Sequence, residues 1–201
     1  MTFRRFDSDA GKYVRSAHIV KLKNVRDAHN VDPMIDRTAN LLGVVGLAVA
    51  DRIEETAREI LSHSGETPAA LVVIGYGMGP SNDQLRRILE LSHPGTVRLV
   101  DRLVADGLVE RRQGQDKRAV ALFLTDAGYS LREELLKGRL AVIRPFLATL
   151  SDAEQDAFAT LLHKMLSSLE TTDQERCTLC RLCDDRVCRD CPIPANFRGD
   201  D

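Results

Sequence analysis

The amino-acid sequence predicts a mainly α-helical fold with a small β wing, and two features predict it. Between residues 33 and 169, most apolar side chains recur at the three- and four-residue spacing of amphipathic helices. Within this stretch lie two runs suited to β-strands, LVERR and AVALFL, which are separated by the polar segment QGQDKR and therefore predict a hairpin.

The first predicted helix begins where Asp32 precedes Pro33, an N-cap followed by a favoured first helical position, and it extends to about residue 63. Its segment LLGVVGLAVA is apolar almost all round, and a helix that is apolar on every side must be buried on every side. We therefore expect it to pack against a second copy of the chain, with Gly43 and Gly46 allowing close approach.

A helix-turn-helix is predicted next, over residues 81–107. A short helix containing ALVVIGYG precedes it and stops at glycines. Ser81 and Gln84 then have the spacing of a capping box, and the tight connection SHPG, which starts at Ser92, separates two short helices.

The hairpin forms the wing, over residues 108–124. Thr125 caps a long helix after it, and Ser151 with Glu154 forms a second capping box before the last amphipathic helix. This order describes a winged helix-turn-helix flanked by N- and C-terminal dimerisation helices, at about 33–63 and 126–169. We expect three regions: a basic arm at 1–32, the winged-helix domain at 33–170 and a cysteine-rich tail at 171–201.

Residues 85–128 closely resemble the MarR family of bacterial transcriptional regulators, especially SHPGTVRLVDRLVADGLVERR and the following QDKRAVALFLTDAG. The series RLVDRL, GLVER, D-x-R and LT-x-AG is specific to this family rather than to winged helices in general, and the resemblance extends over roughly residues 33–169. It implies a homodimer whose first and last helices interlock and whose two lobes bind a pseudo-palindromic double-stranded DNA operator. We expect a repressor, and a small-molecule effector in the cleft between the dimer helices and the DNA-binding lobe is compatible with the family.

The resemblance also assigns residues to the DNA interface. Arg98 is the expected base-edge contact because a guanidinium bonds guanine at two points, and Arg102 is expected near the DNA backbone, although a solvated helix face is an equal alternative for it. In the wing, Asp116 and Arg118 match the D-x-R motif, in which the acid orients the arginine for the minor groove. The expected DNA-binding residues are Ser92, His93, Gly95, Thr96, Arg98, Arg102, Gln115, Asp116, Lys117 and Arg118.

Charge and hydropathy exclude other classes. The formal net charge of the 201-residue chain is −2, so DNA contact requires local clustering of basic residues, such as the seven basic against three acidic side chains in residues 1–30. The longest apolar run, residues 41–50, is too short to span a membrane, and the N-terminus lacks the features of a secretory signal, so we expect a cytoplasmic protein.

All five cysteines lie near the C-terminus: Cys177, Cys180, Cys183, Cys188 and Cys191. Thiolates two residues apart converge on one ion, and four of them form a tetrahedral zinc site. Cys-x2-Cys-x2-Cys with a later Cys-Pro is also similar to the iron–sulfur runs of bacterial ferredoxins, although the spacing to the next cysteine differs. Zinc, an iron–sulfur cluster and metal-free redox thiols therefore all remain open, as does the choice of ligands.

Two other functions are alternatives to a regulator. One is a thiol redox or electron-transfer protein on a helical scaffold, and the other is a metal-buffering or partner-binding dimer. Against an enzyme, the sequence has no Gly-rich phosphate loop, nucleophile elbow or acid–base pair with motif spacing. For a regulator, we expect the state of the cysteine site to reposition the tail on the last helix and so to change DNA affinity.

Overall fold

A computed structural model of the protein describes residues 21–22, 33–61, 65–114, 120–188 and 190–193. The mainly helical fold with a two-stranded wing is confirmed. In chain order, the elements are β1 Lys21–Leu22, α1 Pro33–Ile60, α2 Thr67–Ile74, α3 Asn82–Ile88, α4 His93–Ala105, β2 Val109–Gln113, β3 Val120–Leu124, α5 Asp126–Leu147, α6 Asp152–Ser167, β4 Leu169–Glu170 and α7 Asp173–Leu179.

The core lies inside a lobe built from α2, α3, α4, the wing strands and the first half of α5. Helix α2 is buried on almost every side, as its apolar sequence requires. It supplies Leu71 and Ile74, which meet Leu85 of α3, Leu103 of α4 and Leu122 of β3, all fully buried. Burial of each such side chain contributes roughly 1.5–3 kcal/mol, so this lobe has a core of its own.

The wing is an antiparallel hairpin whose register runs from Val109 opposite Leu124 to Gln113 opposite Val120. It is attached to the lobe at its base, where the Leu122 amide donates to the Pro80 carbonyl at 3.0 Å. The base of the wing is therefore held by the same core that holds α2 and α3.

The LT-x-AG motif joins the wing to α5. The Thr125 hydroxyl donates to the Gly107 carbonyl at 2.6 Å and accepts from the Gly128 amide at 3.1 Å, which caps the helix. A Cβ at Gly128 would lie 2.1 Å from the Leu108 carbonyl oxygen. Only glycine therefore allows α5 to start this close to the wing.

Helices α1 and α6 contrast with the lobe because neither contains a buried residue. Helix α1 packs against α5, where Gly138 lies close to Thr56 and Ile60. Within the described part of the chain, nothing lies within 4 Å of a Cβ placed at Gly43 or Gly46. The large apolar side chains that these two helices leave exposed are Met34, Ile35, Leu41, Leu42, Val44, Val45, Leu47, Leu161, Met165 and Leu166.

The C-terminal tail packs on the lobe, against α3. Its helix α7 begins with a capping box. The Thr172 amide donates to the Glu175 carboxylate at 2.8 Å, and the Glu175 amide donates to the Thr172 hydroxyl at 3.2 Å. Just before it, β4 pairs with β1 of the basic arm, a pairing that periodicity could not predict. Of the helices in the described ranges, none combines the length and apolar character that a membrane crossing requires.

Candidate nucleic-acid interface and cysteine pocket

The helix α4 has the start that the sequence predicts. The Ser92 side chain accepts from the Gly95 amide at 3.2 Å, and Pro94 occupies the first turn, where it costs no hydrogen bond. Leu99, Val100 and Leu103 face the core. The opposite face of α4 is therefore the one that can meet a partner.

Four of the predicted contact residues lie on that outer face. Ser92, His93, Arg98 and Arg102 are exposed, and the two arginines are one helical turn apart. No acidic side chain among the described residues forms an ion pair with either arginine. By contrast, Arg86 and Arg87 of α3, the helix before the turn, both pair with Asp83.

Thr96 faces the core instead. Its side chain is 1% exposed, and its hydroxyl donates to the Ser92 carbonyl at 3.2 Å. The residue thus stabilises the start of α4, and its side chain is not available to DNA. Gly95 beside it is partly exposed and offers only its backbone.

The tip of the wing, with Gln115, Asp116, Lys117 and Arg118, lies outside the described residues. At the base of the wing, Arg111 of β2 pairs with Asp101 of α4, and the Arg112 guanidinium lies 4.9 Å from the centroid of the Phe123 ring. Sequence reasoning missed both arginines, although the charged letters of LVERR were the signal. Arg111 therefore joins the wing to α4 by charge, whereas Arg112 stacks on a ring of the other wing strand.

All five cysteines of the tail line one pocket of about 200 Å³, called here the cysteine pocket. Its other walls come from α2, α3 and the tail itself: Val73, Tyr76, Ile88, Arg176 and Asp185. Among the residues that the structure describes, no group of three or more His, Cys, Asp or Glu side chains meets the geometry for holding one metal ion. The five thiols therefore line an open volume and do not converge on one point.

The electrostatics of the pocket differ from thiol to thiol. Burial, followed by the neighbouring Cys191 and Cys183, raises the pKa of the Cys180 thiol to about 11. Burial also raises the pKa of Cys183, next to Cys188 and Cys191. Partial burial raises the pKa of Cys177, whose charged neighbours are Arg176 and Asp173. Raised pKa values are the opposite of what an activated thiol nucleophile needs.

Two hydrogen-bonded anchors fasten the tail to the lobe. The Tyr76 hydroxyl, directly after α2, lies 2.9 Å from the Cys180 carbonyl oxygen and 3.0 Å from that of Cys183, and it can donate to either. The Thr178 hydroxyl lies 3.1 Å from the carbonyl oxygen of Ile88, the last residue of α3. Thr178 therefore joins the tail to α3 of the helix-turn-helix, and Tyr76 joins the cysteine segment to the end of α2, whereas the sequence-based expectation is packing on the last amphipathic helix, α6.

Charged groups on α5 hold the same segment from the other side. Arg132, 5% exposed, lies 5.6 Å from the Tyr76 ring centroid and 3.7 Å from the Asp185 carboxylate. Arg186 binds the buried Asp184 through two nitrogens, at 2.9 and 3.0 Å, and also reaches Glu133 at 2.8 Å. These bonds from Arg186 lower the pKa of Asp184 and keep it ionised.

A larger pocket of about 1000 Å³ lies between α1, α2 and α5. Its walls are mostly apolar, with Ile53, Ala57, Val72 and Leu136 among them. Its charged lining is balanced, with Arg139 of α5 and Arg181 of the tail as cations and Glu54 and Glu66 as anions. Its size and lining are typical of small-molecule sites.

Sequence comparison finds similar proteins among transcriptional regulators. The sequence model of the MarR family matches residues 68–119. The HTH-type transcriptional repressor MdtR of Bacillus subtilis is 30% identical over 132 residues, which cover 64% of this chain and 85% of that protein. The transcriptional repressor MprA of Escherichia coli is 29% identical over 93 residues, 46% of this chain and 53% of that protein.

Solved structures share the fold. The YusO protein of Bacillus subtilis superposes with a TM-score of 0.57 at 21% identity, covering 67% of this chain and 96% of that one. A Staphylococcus aureus MepR mutant bound to an oligodeoxyribonucleotide gives 0.52 at 21% identity, over 65% of this chain and 96% of that one. A MarR family protein of Mycobacterium tuberculosis in complex with p-aminosalicylic acid gives 0.50 at 21%, over 63% and 95%.

Proposed function

Because the chain belongs to the MarR family of transcriptional regulators, we propose that it is a homodimeric repressor that binds a two-fold symmetric operator through α4 and the wing. The chain is a regulator of transcription rather than an enzyme. The observation that carries the proposal is the outer face of α4, where Arg98 and Arg102 are exposed on a well-capped helix and are free of acidic partners among the described residues.

We assign the contacts along α4 by chemistry. The start of a helix attracts phosphate through its free amides and dipole, so Ser92, His93 and Gly95 would meet the DNA backbone. Arg98, in the second turn, would reach a guanine edge in the major groove, and Arg102 would return to a phosphate. In the wing, Asp116 would orient Arg118 toward the minor groove, with Gln115 and Lys117 beside them.

Homodimerisation follows from the apolar surface of α1 and α6. Ten large apolar side chains on these helices are exposed in the single chain, and exposed apolar patches of this extent indicate an interaction surface. A second copy of the chain can cover them by two-fold packing, which would also match the symmetry of the operator.

An effector would bind in the pocket between α1, α2 and α5. This pocket separates the dimer helices from the lobe, so a ligand there can change the angle between them. Arg139 and Arg181 offer cations to an acidic group of a ligand, Glu54 and Glu66 offer acceptors, and the M. tuberculosis neighbour was crystallised with p-aminosalicylic acid. A metal held by the five tail cysteines would provide a second input, because Arg181 and Leu182 of the tail line this pocket too.

Binding to an operator selected from genomic DNA tests the proposal, with fluorescence anisotropy as the readout. Arg98→Ala should weaken the complex by about 1–3 kcal/mol, roughly fivefold to 150-fold, and should relax discrimination at one base pair. Lys137→Ala removes an exposed cation from α5 and serves as the control. Equal losses in both variants, or no selectable sequence at all, would contradict operator recognition by α4.

A further inference from the structure

The cysteine pocket combines three properties: clustered thiols, an open internal volume and direct contact with a helix-turn-helix. Four thiols bound to one zinc ion lie about 2.3 Å from it and therefore about 4 Å from each other, which leaves no space between them. The pocket here has about 200 Å³ between its walls. A single water needs only about 10–15 Å³ in the same measure, so this space fits a group of several atoms.

Interactions between the thiols identify the ligands. All five thiols line the pocket, and within it Cys180, Cys183 and Cys191 are near enough for each to interact electrostatically with both of the others. Cys188 joins this set through Cys183. Cys177 stands apart at the α7 side of the pocket, where Arg176 and Asp173 are its charged neighbours.

The surroundings suit an anionic cluster. Four bound thiolates bring four negative charges, which the core of an iron–sulfur cluster offsets only in part. Arg176 lines the pocket and interacts electrostatically with Cys191, and Arg139 of α5 interacts with Cys183. Val73, Ile88 and the Tyr76 ring form the wall on the lobe side, which would shield the cluster from water.

We propose that Cys180, Cys183, Cys188 and Cys191 bind one [4Fe–4S] cluster, and that the cluster fixes the tail against α3. On binding, the four thiols release their protons to solvent and become thiolate ligands, while Cys177 stays free. The tail is too short for a core of its own, so its order depends on what it binds. The bonds from Tyr76 to the backbone of the ligand segment and from Thr178 to Ile88 then transmit the presence of the cluster to the helix that precedes α4.

This inference rests on the proposed function only for its regulatory meaning, because cluster binding is measured without DNA. The full-length protein is purified without oxygen, or reconstituted anaerobically with equal amounts of ferrous and ferric iron and with sulfide, and its iron, sulfide and zinc are quantified per chain. We expect about four iron and four sulfide in the wild type and in Cys177→Ala, with the visible absorbance of thiolate-bound iron. In Cys180→Ala and Cys188→Ala, we expect both to be lost while circular dichroism shows the helices intact.

One zinc per chain, or no bound metal, in the wild type would overturn the cluster. Loss of iron in Cys177→Ala to the same extent as in Cys188→Ala would overturn the ligand assignment.

Hydrogen exchange tests the link to the lobe, since amides of α3 should exchange several-fold more slowly in the loaded protein than in the cluster-free one. Equal rates would overturn that link. A protein that binds the cluster but no operator would contradict the proposed function alone.

Discussion

The lobe and the outer helices α1 and α6 differ in how far a single chain buries their apolar side chains. Leu103 of the lobe is fully buried by its own chain, whereas Leu47 of α1 is 69% exposed. Both belong to helices with a strong apolar content, but only the lobe has enough neighbouring elements to cover it. The difference teaches that the lobe buries its core within one chain, whereas the apolar faces of α1 and α6 are left for the second copy in the proposed homodimer.

The largest expected effect comes from breaking the lobe. Leu103→Ala removes a fully buried side chain at the meeting point of α4 with the rest of the core, and it should lower the free energy of unfolding by about 2–5 kcal/mol. Urea denaturation measures this loss. Because the lobe core lies within one chain, the difference from wild type should persist at every protein concentration. A loss below about 1 kcal/mol would mean that the lobe is not the stable unit described above.

The next largest effect tests whether the exposed apolar face of α1 forms the dimer interface. Leu47→Asp places a charge on the exposed apolar face, and burying it unpaired in a dimer interface should raise the dissociation constant by about a hundredfold or more. Sedimentation equilibrium measures the shift. Glu59→Ala, an exposed charged position on the same helix, serves as the control and should leave the constant nearly unchanged. If Leu47→Asp sediments as the wild type does, this face of α1 is not the dimer interface.

Local and long-range features of the molecule differ in how far the sequence predicted them. The capping box of Ser81 with Gln84 and the Ser92 cap were predictable, because local chemistry decides them. The burial of Thr96 was not, because a one-residue difference in helical phase decides whether a side chain faces the core or DNA. The docking of the tail on α3 was also missed. It depends on long-range bonds such as Thr178 to Ile88, and no local pattern encodes them.

A smaller effect tests the contact between tail and lobe. Tyr76→Phe keeps the ring beside Arg132 but removes the hydroxyl that reaches the backbone of the cysteine segment, a bond worth about 1 kcal/mol. Amides of residues 176–183 should then exchange roughly fivefold faster, while amides of α5 stay unchanged. Tyr129→Phe removes an exposed hydroxyl elsewhere on the chain and is the control. Unchanged exchange in the tail would remove Tyr76 as an anchor.

The smallest effect concerns the start of α6. The Glu154 carboxylate accepts from the Ser151 amide at 2.8 Å and from its hydroxyl at 2.7 Å, and these bonds lower the pKa of Glu154 below its usual 4.5. A lowered pKa stabilises the folded state above the unfolded value, and this contribution is lost as pH falls through the folded pKa. The unfolding free energies of wild type and Glu154→Gln should therefore converge at acid pH. A difference independent of pH between 6 and about 3 would contradict this role.

The central claim is that two copies of the lobe bind two half-sites of one operator. A footprint of the wild-type protein on a selected genomic fragment, with the stoichiometry of the complex, tests it most directly. We expect two symmetric protected half-sites whose centres lie about 10–10.5 base pairs, or a multiple of that distance, apart, occupied by two chains. Protection of a single asymmetric site by one chain, or protection that does not depend on DNA sequence, would contradict the account.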